Sequence, residues 1–127
     1  MIAVDTSALM AIALGEKEAD ACIRVLETET EVVISAGTVA EALIVAARRN
    51  VGEEVTRMID GLGFEIVSVT LASARRIAAA YAQWGRGAHP AGLNFGDCFS
   101  YEVAKEHSCP LLYVGDDFTQ TDLETAL

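Results

Sequence analysis

Short apolar runs alternate along this chain with longer stretches in which apolar residues recur every three or four positions. Ile2-Ala3-Val4 is cut off by the polar Asp5-Thr6-Ser7 and reads as a buried strand with a turn behind it. Ala8 to Leu14 contains helix formers throughout and stops at Gly15, and Glu16 to Glu27 places Ala19, Cys22, Ile23 and Leu26 on one helical face. Val32-Val33-Ile34 is β-branched at every position and reads as a second strand.

The second half repeats the rhythm. Thr38 to Arg49 and Glu53 to Leu62 have helical spacing, Phe64 to Val67 reads as a third strand, and Leu71 to Trp84 as a long amphipathic helix. Gly85 to Gly92, with three glycines and Pro90, is the clearest loop. A further helix opens at Asn94 or Gly96 and runs to about His107. Leu111 to Val114 is the last strand, ended by Gly115-Asp116-Asp117. The tail from Thr121 to Leu127 fits either a short helix or a strand. Strands alternating with helices predict an α/β fold with a parallel sheet between helical layers. Functional sites in such sheets form beyond the carboxyl ends of the strands.

The length of 127 residues suits a single domain, and no repeat or linker divides it. Hydrophobic residues make up 52% and aromatics only 6%, so Ala, Val, Leu and Ile carry the core, as in a buried parallel sheet. The cysteines Cys22, Cys98 and Cys109 are odd in number and lack C-x-x-C spacing. They read as small apolar residues and suit a reducing cytoplasm. Four residues precede Asp5, which leaves no room for a signal peptide ahead of the first strand, and no apolar run is long enough to span a bilayer.

The formal net charge of −10 argues against nucleic-acid binding, because phosphate contacts use Lys and Arg. That argument weakens if carboxylates hold a cation, which inverts the local field. Asp5, Glu41, Asp97 and the pair Asp116-Asp117 stand where strands end and helices begin. Each has a bland reading. Asp5 suits a helix N-cap. Glu41 in Thr38-x-x-Glu41 suits a capping box, the stronger reading for that residue alone. Asp97 would favour a helix N-terminus by about 0.3–1 kcal/mol. Asp116-Asp117 suits a solvated turn. Together they point to a hard divalent cation, which prefers oxygen ligands. No nitrogen or sulfur site competes, and no phosphate-binding glycine loop is present.

Met1-Ile2-Ala3-Val4-Asp5-Thr6-Ser7-Ala8-Leu9, Thr38-Val39-Ala40-Glu41, Leu93-Asn94-Phe95-Gly96-Asp97-Cys98-Phe99 and the stretch from Leu111 to Asp122 give the chain, over nearly its whole length, a resemblance to the PIN-domain nucleases. Within them it resembles the VapC toxins of bacterial toxin–antitoxin pairs. The resemblance implies a three-layer α/β sandwich, with a central parallel sheet of four or five strands flanked by helices. It implies a metal-dependent endoribonuclease using Mg2+, with Mn2+ as the alternative. Asp5 and Asp97 would be the metal ligands, and Glu41 would complete the acidic pocket. Asp117 is the first choice for the fourth acid and Asp116 the second, since Gly115 stands where many PIN domains carry an acid. Thr6 and Ser7 would shape the site, and Arg86 and His89 would guide RNA backbone. Water would attack phosphorus in line and the 3′ oxygen would leave. A VapB-type antitoxin and a homodimer are the implied protein partners, with no membrane.

Three other readings compete. A phosphoacceptor receiver domain needs paired acids after the first strand and a Lys after the last, but the lysines here are Lys17 and Lys105. A phosphatase of the haloacid-dehalogenase type needs a second Asp at the position of Ser7. A catalytically silent PIN-like binding module would have little reason to retain the full set of acids.

Overall fold

The computed structural model describes residues 1–127. Its elements in chain order are β1 (Ile2–Val4), α1 (Thr6–Leu14), α2 (Ala19–Thr28), β2 (Val32–Ser35), α3 (Ala36–Arg48), α4 (Gly52–Gly61), β3 (Glu65–Val67), α5 (Leu71–Trp84), α6 (Phe95–Glu106) and β4 (Leu111–Leu112). The strands lie in the order β3-β2-β1-β4, and every pairing is parallel. All four carboxyl ends therefore point to one edge.

Side-chain alternation sorts the core into two halves. Ile2, Val4, Val32, Ile34 and Leu112 face a cluster with Leu9, Met10, Cys22, Ala42 and Val55 from the helices α1 to α4. Ala3, Val33, Leu111 and Tyr113 face the other way, onto Ile77, Ala80, Cys98, Val103 and Ala104 of α5 and α6. A sheet covered on both faces needs no polar alternation, which is why its strands read as unbroken apolar runs. Leu9, Ile34 and Leu112 are fully buried. Each contributes about 1.5–3 kcal/mol by burial, and Leu9→Ala would cost about 2–5 kcal/mol.

Several boundaries differ from the sequence expectation: α1 begins at Thr6 rather than Ala8, and α2 at Ala19 rather than Glu16. α3 begins at Ala36, capped by Ser35 whose hydroxyl accepts from the Gly37 N–H at 3.1 Å. Thr38 is thus inside the first turn and caps nothing. The last strand closes at Leu112, because Val114 turns its N–H to the Ser7 hydroxyl at 3.0 Å. The tail forms neither a helix nor a full strand. Thr125 makes a single parallel bridge to Leu111, on the free side of β4. The Leu111 N–H donates to the Glu124 carbonyl and the Ala126 N–H to the Leu111 carbonyl, both at 2.9 Å. The tail is fixed further where Trp84 Nε1 donates to the Tyr101 hydroxyl, which donates to Asp122.

Gly15 ends α1 with φ +64°, a left-handed turn that lets its N–H reach the carbonyls of Ala11 and Ile12. No helix is long and apolar enough to cross a membrane.

Candidate active site

Asp5 leaves the end of β1 and caps α1. Its Oδ2 accepts from the Ser7 N–H at 3.0 Å and from the Ser7 hydroxyl at 2.7 Å. Its Oδ1 accepts from the Ser100 hydroxyl at 2.5 Å, across from α6. The capping role is real, but it uses only one oxygen. With that proton committed to Asp5, Ser100 can only accept from Thr38, whose hydroxyl lies 3.2 Å away. A buried relay thus runs from Thr38 through Ser100 to Asp5, three residues from three elements. Ser7 also accepts from the Val114 N–H, which ties the same carboxylate to the chain leaving β4.

Glu41 projects from the second turn of α3 toward α1, where its Oε1 accepts from the Thr6 hydroxyl at 2.6 Å. It does not close a capping box. Nor is its turn mostly buried, since Ala40 and Leu43 are exposed. What places it in the pocket is its opposite neighbour, Gly96 of α6. A Cβ at Gly96 would fall 1.8 Å from Glu41 Oε2.

Asp97 does form a capping box, reciprocally with Asn94. Its Oδ2 accepts from the Asn94 N–H at 3.0 Å, and its own N–H donates to Asn94 Oδ1 at 2.8 Å. Asp97 Oδ1 and Glu41 Oε2 have no donor from the protein. No buried side-chain polar atom lacks a partner, so both oxygens reach solvent.

The electrostatics join these acids. The Asp97 carboxyl is pushed up to about 7, by burial first, opposed by the Asn94 N–H, and then by the charges of Asp5, Asp117 and Glu41. Burial also raises Glu41, opposed by the Thr6 hydroxyl and reinforced by Asp5. Asp117 therefore stands close enough to act on Asp97. Asp116 is not among the groups that do; its carbonyl accepts from the Thr119 N–H and hydroxyl in an exposed turn.

None of the chain's ion pairs involves Asp5, Glu41, Asp97 or Asp117. Crowded carboxylates without a basic partner favour an added cation. No three His, Cys, Asp or Glu side chains form a ready-made metal cage. The all-oxygen donors, two of them free, instead suit a hard ion that keeps several waters and takes one or two carboxylates.

Arg86 and His89 stand apart from this cluster, in the loop that leads into α6. The loop is folded on itself, with the Gly85–Leu93 bridge at its neck and the N–H groups of Ala88 and His89 on the Gly85 carbonyl. Arg86 is exposed and free of ion pairs. His89 Nδ1 accepts from the Ala91 N–H at 3.0 Å, and its ring meets Trp84 edge-on at 4.7 Å. That leaves Nε2 to face outward. Sequence reasoning missed the roles of Gly96 and Ser100, and gave Thr38 a capping role in place of its link to Ser100. A glycine immediately before the acid was the one available signal, and it is weak without the partner it makes room for.

Comparison with known proteins follows the same lines. Residues 2–124 match the PIN domain family. Ribonuclease VapC42 of Mycobacterium tuberculosis is 40% identical over 127 residues, covering 97% of each chain. The crystal structure of VapC20 from the same organism, a Sarcin-Ricin loop cleaving toxin, superposes with a TM-score of 0.80 at 16% identity, over 97% of this chain and 96% of that one. A toxin–antitoxin complex from Klebsiella pneumoniae gives 0.72 at 21% identity, over 96% and 93%. These two likenesses speak for the three-layer fold. The receiver and dehalogenase readings fall away. A domain match spanning nearly every residue, and an end-to-end relative at 40% identity, place this chain in the PIN-domain family, in its VapC branch.

Proposed function

We propose that this chain, acting as one PIN-like domain over residues 1–127, is the ribonuclease toxin of a toxin–antitoxin pair. It hydrolyses RNA phosphodiester bonds at the pocket of Asp5, Glu41, Asp97 and Asp117. The observation that carries the reading is the convergence of four carboxylates at one sheet edge with no Lys or Arg among them.

Asp97, through its free Oδ1, and Asp5 are the residues that would hold a divalent cation, Mg2+ or Mn2+, with Glu41 completing the pocket directly or through water. Such an ion supplies an acidified water and charge neutralisation at the phosphate. The chain's own contribution is positioning. Ser7 and Ser100 lock the Asp5 carboxylate, Thr6 orients Glu41, and Asn94 fixes Asp97 at the start of a buried helix. Asp117, on its exposed turn, adds negative charge at the mouth. Arg86 and the outward Nε2 of His89 attract and orient RNA backbone, offsetting the −10 net charge locally.

A VapB-type antitoxin that brings a basic side chain to these acids would complete the missing charge balance. Homodimerisation and a cytoplasmic setting belong to the same proposal. Induced expression should arrest bacterial growth with accumulation of RNA fragments, and co-expression of the adjoining small reading frame should relieve it. The Asp97→Asn chain should do neither harm nor cleavage. Equal arrest by Asp97→Asn would favour a silent binding module instead.

A further inference from the structure

Phe95 is 70% exposed, although it opens a helix whose other aromatic residues are at least partly covered. The helix start does not require it. Leu93 before the cap and Cys98 in the next turn are fully buried and occupy the positions of a hydrophobic staple. Asn94 and Asp97 already satisfy each other's N–H groups. Phe95 belongs to neither half of the core.

Its aromatic partner is Phe99, one turn on. The two rings meet edge-on with centroids 4.9 Å apart and planes at 88°. Phe99 in turn lies on Gly37 of α3, so closely that a Cβ there would come within 2.2 Å of the ring. Phe99 is thus anchored between two helices and props the Phe95 ring outward. The two residues that follow Phe95 are Gly96, against Glu41, and Asp97 itself. On α3, Gly37 under Phe99 and Glu41 against Gly96 lie one turn apart on the same face, so the shelf borders the Glu41 side of the acidic pocket.

We propose that Phe95 is a stacking platform for an unpaired base of the RNA, beside the phosphate that the acids receive. This rests on the ribonuclease reading above and adds a substrate requirement to it. An acidic chain of net charge −10 gains little from phosphate contacts. Stacking of a base on an aromatic ring is attractive whatever the charge, and accepts any base. It also needs the base out of its own helix, so the nucleotide next to the scissile bond must be unpaired.

The test uses a pool of labelled single-stranded oligoribonucleotides with Mg2+, cleaved by the unmodified chain and by Phe95→Ala, Phe95→Leu and Phe95→Trp. Phe95→Ala should raise KM roughly 5- to 100-fold with a smaller change in kcat. Phe95→Trp should retain the unmodified KM, and Phe95→Leu should resemble Phe95→Ala. Replacing the flanking nucleotide by an abasic one should weaken cleavage by the unmodified chain and leave Phe95→Ala unaffected. If Phe95→Ala unfolds at assay temperature, the Leu and Trp variants decide by the same comparison. An unchanged KM in Phe95→Ala, full rescue by Leu, or a sedimentation change in Phe95→Ala showing that the ring joins two copies would overturn the stacking role alone. No cleavage by the unmodified chain overturns the ribonuclease reading and this inference with it.

Discussion

Gly96 leaves room for the carboxylate of Glu41, whose Oε2 lies 1.8 Å from where a Cβ at position 96 would stand. Two helices far apart in sequence meet there with the Glu41 carboxylate between them. Gly96 has an ordinary helical backbone, with no positive φ to explain its identity. Contact with Glu41 is therefore its reason to be glycine.

Gly96→Ala should accordingly separate activity from stability. Alanine is preferred over glycine in a helix by up to about 1 kcal/mol, so thermal unfolding should be unchanged or slightly improved apart from the cost of displacing Glu41. RNA cleavage should fall at least tenfold, to the level of Glu41→Gln. A Gly96→Ala chain with full activity would show that Glu41 need not hold its place.

Ser100→Ala should cost about 1–3 kcal/mol in denaturant unfolding, because it leaves Asp5 Oδ1 buried without a donor. Thr38→Val should cost less, since Ser100 would still donate to Asp5. An equal or larger loss in Thr38→Val would contradict the proton direction assigned to this relay.

The pocket's charge should be readable as pH-dependent stability. The Asp97 carboxyl is raised from its ordinary 3.8 to about 7, so the folded chain holds its proton where the unfolded chain has released it. Stability of the metal-free protein is therefore greatest below about pH 4 as far as this group is concerned, and is lost as pH rises through about 7. Thermal unfolding in EDTA should show that fall between about pH 4 and 7, and Asp97→Asn should flatten it. Excess Mg2+ should restore stability most at the alkaline end. A metal-free profile that is flat, or that rises with pH and loses the rise in Asp97→Asn, would refute the crowding of these carboxylates.

Asp117→Asn should lower cleavage and bring the Asp97 transition to lower pH, because it removes one of the charges that raise it. Asp116→Asn should change neither. Cleavage rates and the same unfolding profiles distinguish the two adjacent acids directly.

These contrasts show which features a sequence can carry. Asp5 ends an apolar strand, and Asp97 opens a helix bracketed by Phe95 and Cys98; both patterns are local and legible. Glu41 matched a capping box because Thr38-x-x-Glu41 is the right spelling, yet Ser35 starts that helix earlier and turns the glutamate toward Thr6. Asp116 and Asp117 are hard to tell apart as letters, because only the folded turn after β4 sets which charge acts on Asp97. Ser100 is 95 residues from the carboxylate it serves. Its role, like that of Gly96, exists only once α6 is packed beside β1 and α3. The sheet was legible for the same reason as Asp5, since burial on both faces leaves an unmistakable apolar run.

The central claim is that this carboxylate pocket hydrolyses RNA with a divalent cation. Purified chain should be assayed on RNA with Mg2+, with Mg2+ plus excess EDTA, and as Asp97→Asn with Mg2+. Cleavage in the first sample alone is the expected result. Cleavage that survives EDTA, or undiminished activity in Asp97→Asn, would contradict it.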